Sequence, residues 1–162
     1  MIIVDEQPLH LPAIGAVLEA AFGRADEARL VERLRADRAL VLSLAAIEDD
    51  AVIGHVAFSA MRAPFRALGL GPVAVAPARQ RSGVGRSLIG EGLARARAAG
   101  WEAVFVLGDP SYYRRFGFSV EDAAGFTSPY AGPHFMALAL GGPRLPASTG
   151  AVAYAPAFGA FS

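Results

Sequence analysis

Gly69-Leu70-Gly71-Pro72-Val73-Ala74-Val75-Ala76-Pro77 is an apolar run that leads through Ala78-Arg79 into Gln80-Arg81-Ser82-Gly83-Val84-Gly85. A helical pattern follows at once, with Leu88, Ile89, Leu93 and Ala96 on one face. A strand that stops at a proline, then an arginine- and glycine-rich loop opening a helix, presents bare backbone amides to a phosphate. The helix start has unpaired N–H groups and a positive dipole end, and glycines let the backbone close on the anion.

On the N-terminal side of this stretch, Met1 to Val4 is a short β-branched run that reads as a first strand. Leu9 to Phe22 places Ile14, Val17, Leu18 and Phe22 at helical spacing, with Gly23 as a stop. Glu27 to Arg38 repeats the pattern with Leu30, Val31 and Leu34. Ala39–Glu48 and Val52–Met61 flank Asp49-Asp50-Ala51 as a β-hairpin, and Leu68 to Val75 is another buried strand. On the C-terminal side, Arg86 to Ala99 reads as a helix ended by Gly100, with Glu91 and Arg95 paired on its outer face. Ala103–Leu107 is a continuous apolar strand, so strand–helix–strand implies a right-handed parallel crossover. Asp109-Pro110 caps and starts a short helix through Phe116, and Phe118–Glu121 and Phe135–Leu140 read as the last strands. From Gly141 onward the chain is rich in Gly, Ala and Pro, with Tyr154, Phe158 and Phe161 as anchors against the body. No repeat or second domain is visible. The expectation is one domain over 1–162.

The 162 residues are 54% hydrophobic and 19% charged, enough to bury a substantial core without staples. No apolar run approaches the roughly 20 residues needed to span a bilayer. The start lacks the basic segment of a secretory signal, so a cytoplasmic protein is expected. The 15 basic and 15 acidic residues cancel, which argues against broad nucleic-acid binding. Every basic residue is arginine, which excludes Schiff-base chemistry and a Walker A lysine. With 0 cysteines there is no disulfide, no thiolate metal site and no acyl-cysteine intermediate. His10, His55 and His134 lack metal-ligand spacing, so no metal is expected.

Apolar strand, Gln80-x-x-Gly83-x-Gly85, then helix resembles motif A of the GNAT-superfamily N-acetyltransferases. Some thirty residues on, Pro110-Ser111-Tyr112-Tyr113-Arg114-Arg115-Phe116-Gly117-Phe118 resembles that family's motif B, a tyrosine four residues before Gly-Phe. Val106-Leu107-Gly108 and Ala155-Pro156-Ala157-Phe158 are similar to its YhbS-like branch. Other readings of the glycine loop fare worse. A dinucleotide fingerprint needs a third glycine where Leu88 stands, and a P-loop needs Gly-Lys-Ser/Thr. An ordinary tight turn remains as the alternative, opposed by Gln80-Arg81 and the later tyrosine.

The resemblance implies an α/β GNAT-like acyl-CoA N-acyltransferase fold, a mixed central sheet of about seven strands with flanking helices. Its fourth and fifth strands, here Leu68–Val75 and Ala103–Leu107, splay apart to admit pantetheine as a pseudo-strand. The cofactor core would span about 68–118, with a C-terminal strand and tail at about 134–162. Acetyl-CoA is the implied acyl donor. Val73, Ala74 and Val75 would offer backbone groups to its acetyl and pantetheine ends. Gln80, Arg81, Ser82, Gly83, Val84, Gly85, Arg86 and Ser87 would enclose the pyrophosphate.

Tyr113 is the implied catalytic residue, a phenol that protonates the departing thiolate. A core or cofactor-packing ring is the alternative for Tyr113, and Tyr112 reads as a packing residue. Arg114 and Arg115 read as solvated charges, with contact to the cofactor's phosphates as the alternative. Many relatives carry a basic glutamate on the fourth strand, but Leu68–Val75 holds no carboxylate. His55 is a substitute against a structural reading, Glu48, Glu6 and His134 are weaker ones, and the base stays unassigned. The implied reaction is direct attack by a primary amine of a small metabolite, an antibiotic-like amine or a peptide. The aromatic tail (Tyr130, His134, Phe135, Tyr154) hints at a partly hydrophobic pocket, with core closure as the alternative. A homodimer is compatible with the resemblance. A non-catalytic acyl-CoA-binding module and transfer of a longer acyl group are the rival functions.

Overall fold

The structure, a computed structural model, describes residues 1–160 of the chain; the anchor expected at Phe161 lies outside them. In chain order its elements are β1 (Ile2–Asp5), α1 (Leu11–Phe22), α2 (Asp26–Ala36), β2 (Leu40–Glu48), β3 (Ala51–Ala60) and β4 (Ala67–Val75). They continue with α3 (Val84–Ala98), β5 (Ala103–Leu107), α4 (Pro110–Tyr113), α5 (Val120–Ala123), β6 (Phe126–Thr127), β7 (Phe135–Ala139) and β8 (Gly150–Ala151). Six strands form a mixed sheet in the order β1-β2-β3-β4-β5-β7, antiparallel everywhere except between β4 and β5. β6 and β8 form a separate parallel pair.

Helices cover both faces. Ile14, Val17 and Leu18 of α1 and Val31 of α2 pack on Ala45, Ala57 and Ala74. Leu88, Ile89 and Leu93 of α3 pack on Val56, Phe58 and Leu68 from the opposite side. The alternation of strand residues between these two faces is what the period of the pleat requires. The two-residue turn between β2 and β3 puts Asp49 at φ 51° and Asp50 at φ 62°. Those left-handed angles match the twist of the strands, and a short polar side chain tolerates them. The tail closes on α2, where Ala155 and Ala157 meet Leu30 and Leu34, and Tyr154 and Phe158 pack at 5.1 Å between ring centroids.

One expected strand is absent, which brings the sheet to six rather than about seven. Phe118–Glu121 contributes only a single bridge, Ser119 to Ala137. The Ser119 hydroxyl accepts from the Asp122 amide at 3.1 Å and so starts α5 instead. A serine with an acidic residue three positions on is a helix start.

The site depends on where β4 and β5 stop pairing. Their parallel ladder holds only at Ala67–Ala103, Leu68–Val104 and Gly69–Phe105. β4 then gains one residue against β3, between the Phe58–Leu70 and Val56–Val73 pairs. Gly71 takes φ 136° within that bulge, an angle open to glycine. A bulge bends its strand, so β4 leaves β5 and the sheet opens a V.

Candidate active site

Backbone direction decides what the gap offers. The Ala76 amide donates to Ile53 of β3 at 2.8 Å, and His55 stands opposite Ala74 in the ladder. By alternation, Ala74 turns its N–H and C=O toward β3, and Val73 and Val75 turn theirs into the gap. Of the three residues expected to offer backbone, Val73 and Val75 therefore face the opening. Ala74 is committed to its neighbour and adds no free group.

Beyond Val75 the loop forms a cleft of about 420 Å³ whose lining includes Gln80, Arg81, Gly83, Gly85, Arg86 and Arg115. Gly83 precedes α3 at φ 90°, and the first helical bond runs from Ser87 N to Gly83 O at 3.0 Å. The amides of Val84, Gly85 and Arg86 come before that bond and remain open. A Cβ on Gly85 would stand 3.5 Å from Val75 and 3.7 Å from the Tyr112 hydroxyl, filling the cleft. Arg81 holds a left-handed φ of 65°, rare for a branched-out side chain.

Not every loop residue faces the cleft. Ser82 donates its hydroxyl to the Arg79 carbonyl, and Ser87 is exposed beyond the lining. Gln80 donates from Nε2 to the Val75 carbonyl at 3.2 Å, tying loop to strand. Arg79 is paired with Glu48 at 2.9 Å, which takes both out of the chemistry. Of the two readings of Arg115, its place in the cleft lining favours contact with an anion. Its guanidinium lies 4.4 Å over the Tyr112 ring while Nε donates to the Tyr112 carbonyl at 2.8 Å.

At the other end of the open β4 edge lies a pocket of about 430 Å³. Val73 and Tyr113 line this pocket, whereas their neighbours Val75 and Tyr112 line the loop cleft. The two spaces thus adjoin along one strand and one turn. Asp109 caps α4 by accepting from the Ser111 amide at 2.9 Å, and this turn presents Tyr113. Phe118 meets the ring edge-on at 5.9 Å, and Gly108 is required because a Cβ there would press on the ring at 2.5 Å. Burial, with a lesser push from Tyr112, raises the phenol to about 12. Tyr113 keeps its proton at neutral pH.

The proposed bases do not reach this pocket. His55 has 0% exposure and belongs to a closed polar network. Ser43 gives its hydroxyl proton to Glu6, so the 2.7 Å contact to His55 has Nε2–H donating to Ser43 Oγ. The other nitrogen, Nδ1, is buried without a partner. Burial lowers the imidazole to about 4, a poor proton acceptor. Glu6 also holds Arg35 through bonds of 2.7 and 2.9 Å. His134 is exposed, with Nδ1 3.2 Å from the Gly108 carbonyl.

Two pocket residues escaped the sequence reading of polar chemistry. Glu27 lines the wall formed by α1 and α2, opposite Tyr113. Arg24 grips it at 3.0 Å through Nε, and this bond holds the carboxyl below its ordinary range. Its three-residue spacing from Arg24 was visible, but nothing local places α2 against β4. Tyr154, an expected anchor, buries a hydroxyl that has no partner and lines the same pocket. Tyr130 joins it edge-on at 5.5 Å. Among the described residues no group of His, Asp or Glu is placed to hold a metal.

An interrupted parallel pair thus leaves free strand backbone running from an amide-lined loop suited to a phosphate to the phenol of Tyr113. The chain belongs to the acetyltransferase (GNAT) family, whose model matches residues 11–118, and within it to the YhbS-like branch. It is 41% identical over 124 residues to the uncharacterized N-acetyltransferase YhbS of Escherichia coli K12, covering 74% of each chain. The crystal structure of YhbS from Escherichia coli in complex with CoA superposes with a TM-score of 0.92 at 35% identity, covering 99% of this chain and 93% of the other. A GNAT family acetyltransferase from Brucella melitensis in complex with acetyl-CoA gives 0.83 at 44% identity, covering 97% of both.

Proposed function

We propose that the protein transfers the acetyl group of acetyl-CoA to a primary amine. One observation carries this reading: the open β4 edge joins the amide and arginine cleft to the pocket of Tyr113. The residues present fit the donor. The free amides of Val84 to Arg86 and the side chains of Arg81, Arg86 and Arg115 suit a pyrophosphate. Val73 and Val75 suit the amide groups of a pantetheine arm. Relatives of this fold solved in complex with CoA and with acetyl-CoA support the assignment.

The thioester supplies an activated acetyl group, and the amine nitrogen attacks its carbonyl carbon directly, since the chain holds 0 cysteines. A C–N bond forms and the C–S bond breaks. The Val73 amide donates to the carbonyl oxygen as charge gathers there, a contact whose loss commonly costs 10²–10³ in rate. Tyr113 donates its hydroxyl to the leaving sulfur and passes it a proton as the bond breaks. The proton released by the attacking nitrogen leaves through the pocket mouth, and solvent restores the phenol. Packing of both substrates in one pocket supplies proximity.

The test is thiol release from acetyl-CoA with a panel of amines, run beside calorimetry of cofactor binding. Amine-dependent release is expected. Tight cofactor binding without release by any amine would favour a non-catalytic acyl-CoA-binding module, a reading that the missing β4 carboxylate motivates. Competition among acetyl-, propionyl- and succinyl-CoA checks the acyl group.

A further inference from the structure

The pocket facing the open end of β4 has a polar inventory that restricts its ligand. Glu27 is the one side chain in its lining that carries a charge at neutral pH. Phe22, Tyr130, Tyr154 and Phe158 supply rings, and Leu30 and Leu107 supply aliphatic wall. The ring of Tyr154 is part of the wall, and its hydroxyl is buried without a protein partner. Its ring lies flat over Gly69, the last β4 residue paired with β5, at a place where a Cβ would come within 2.6 Å.

From this inventory we infer that the acceptor is a small amine with a single cationic nitrogen on an aromatic or otherwise apolar body, Glu27 being the residue that selects the cation. The inference rests on the acetyltransferase reading and narrows its acceptor. The aromatic walls hold the body of the ligand, and ring faces next to Glu27 add cation–π attraction.

Glu27 is suited to recognition rather than to taking a proton: the ammonium it recruits loses one proton to solvent before the neutral nitrogen attacks the thioester, and the second leaves as the C–N bond forms. Arg24 fixes the carboxylate through bonds at Nε and Nη2 and keeps it ionised. One carboxylate also sets the limit. A polyamine or an aminoglycoside would bring further ammonium groups into apolar surroundings with no anion to meet them, and an unpaired buried charge is strongly unfavourable.

The test titrates the CoA-saturated protein calorimetrically with 2-phenylethylamine, 2-phenylethanol and spermidine, while acetyl transfer from acetyl-CoA to each amine is followed separately. Phenylethylamine is expected to bind at least tenfold more tightly than either alternative. Glu27→Gln should erase the margin of amine over alcohol, raising KM for the amine about tenfold with kcat within about threefold and CoA affinity unchanged. Tyr154→Phe, which keeps the ring of the wall, should leave the affinity for the amine within about threefold. Spermidine binding as tightly as phenylethylamine overturns the inference, as does a margin untouched by Glu27→Gln or no amine binding at all. Acetylation of spermidine or of a peptide amine with phenylethylamine ignored would overturn it while leaving the transferase reading in place. Selective binding without transfer would keep the pocket assignment and sink the transferase reading.

Discussion

Tyr113 combines three properties that a proton donor to sulfur needs: a fixed ring, a proton retained at neutral pH and a place where the strand gap meets the pocket. Its hydroxyl bonds to no other described residue, so removing it leaves packing intact. Tyr113→Phe should therefore lower kcat by about 10²–10⁴, with acetyl-CoA affinity changed less than about threefold. Stopped-flow or steady-state rates beside a calorimetric titration check this, and equal losses in rate and affinity would assign the ring to packing. Tyr113 was legible because its neighbours in sequence make its site: the Asp109 cap, Gly117 and Phe118 all lie within six positions. Glu27 was not, because it meets the pocket across a fold contact, whereas Tyr130 and Tyr154 of the aromatic tail do line a largely apolar pocket. His55 follows its structural reading, but its spacing in a strand named no partner: Ser43 of β2 occupies Nε2, and Glu6, just after β1, takes the Ser43 proton.

Strand β4, its loop and α3 act as one device, and the loop carries backbone strain at its charged residue. Arg81 at φ 65° bears about 1–2 kcal/mol that glycine would not. Arg81→Gly removes this strain but adds about 0.5–1 kcal/mol of unfolded-state entropy. Stability is thus expected to stay level or rise slightly, while CoA affinity falls roughly tenfold with one charge-assisted bond lost. Thermal unfolding and calorimetry separate the two, and unchanged affinity would make Arg81 a bystander. On the inner face of α3, Gly92 lets the helix sit directly on the Phe58 ring. Gly92→Ala gains about 1 kcal/mol of helix propensity but overpacks a rigid buried ring, at about 1–3 kcal/mol. The clash wins, and Tm should fall by about 2–4 °C per kcal/mol lost. The start of α3 lies at Val84, two residues before the sequence-based boundary, because Gly83 takes the left-handed angle that ends the loop. Local chemistry wrote this unit almost whole, whereas Phe118–Glu121 read as a strand until the Ser119 cap was seen.

Four parts of the chain are tied together by one buried polar chain: Arg35 of α2, Glu6 just after β1, Ser43 of β2 and His55 of β3. The face they share is otherwise apolar, so the network fixes how α2 and β1 seat on the sheet. It also makes the fold sensitive to acid. Protonating His55 would place a charge among Ala45, Ala57 and Ala74 and create an Nδ1–H donor with no acceptor. The folded imidazole accordingly titrates at about 4 rather than 6.5. Between those values the unfolded chain binds more protons than the folded one, so stability rises with pH across the window and is lost on acidification. The full difference corresponds to about 3 kcal/mol, at 1.36 kcal/mol for each pH unit. Glu6 reinforces it: burial alone would raise its pKa, but the bonds from Arg35 and Ser43 prevail and hold it low. Its share is lost only as pH falls below the ordinary carboxylate range. Urea unfolding at intervals from pH 7.5 to 4 should show the slope, steepest in free energy below pH 6. His55→Gln, which keeps a donor toward Ser43, should flatten the profile between pH 6.5 and 4.5 while retaining the fall at lower pH. A wild-type profile already flat across that range would mean that His55 is free to protonate in the folded protein, and the closed network described for it would be wrong.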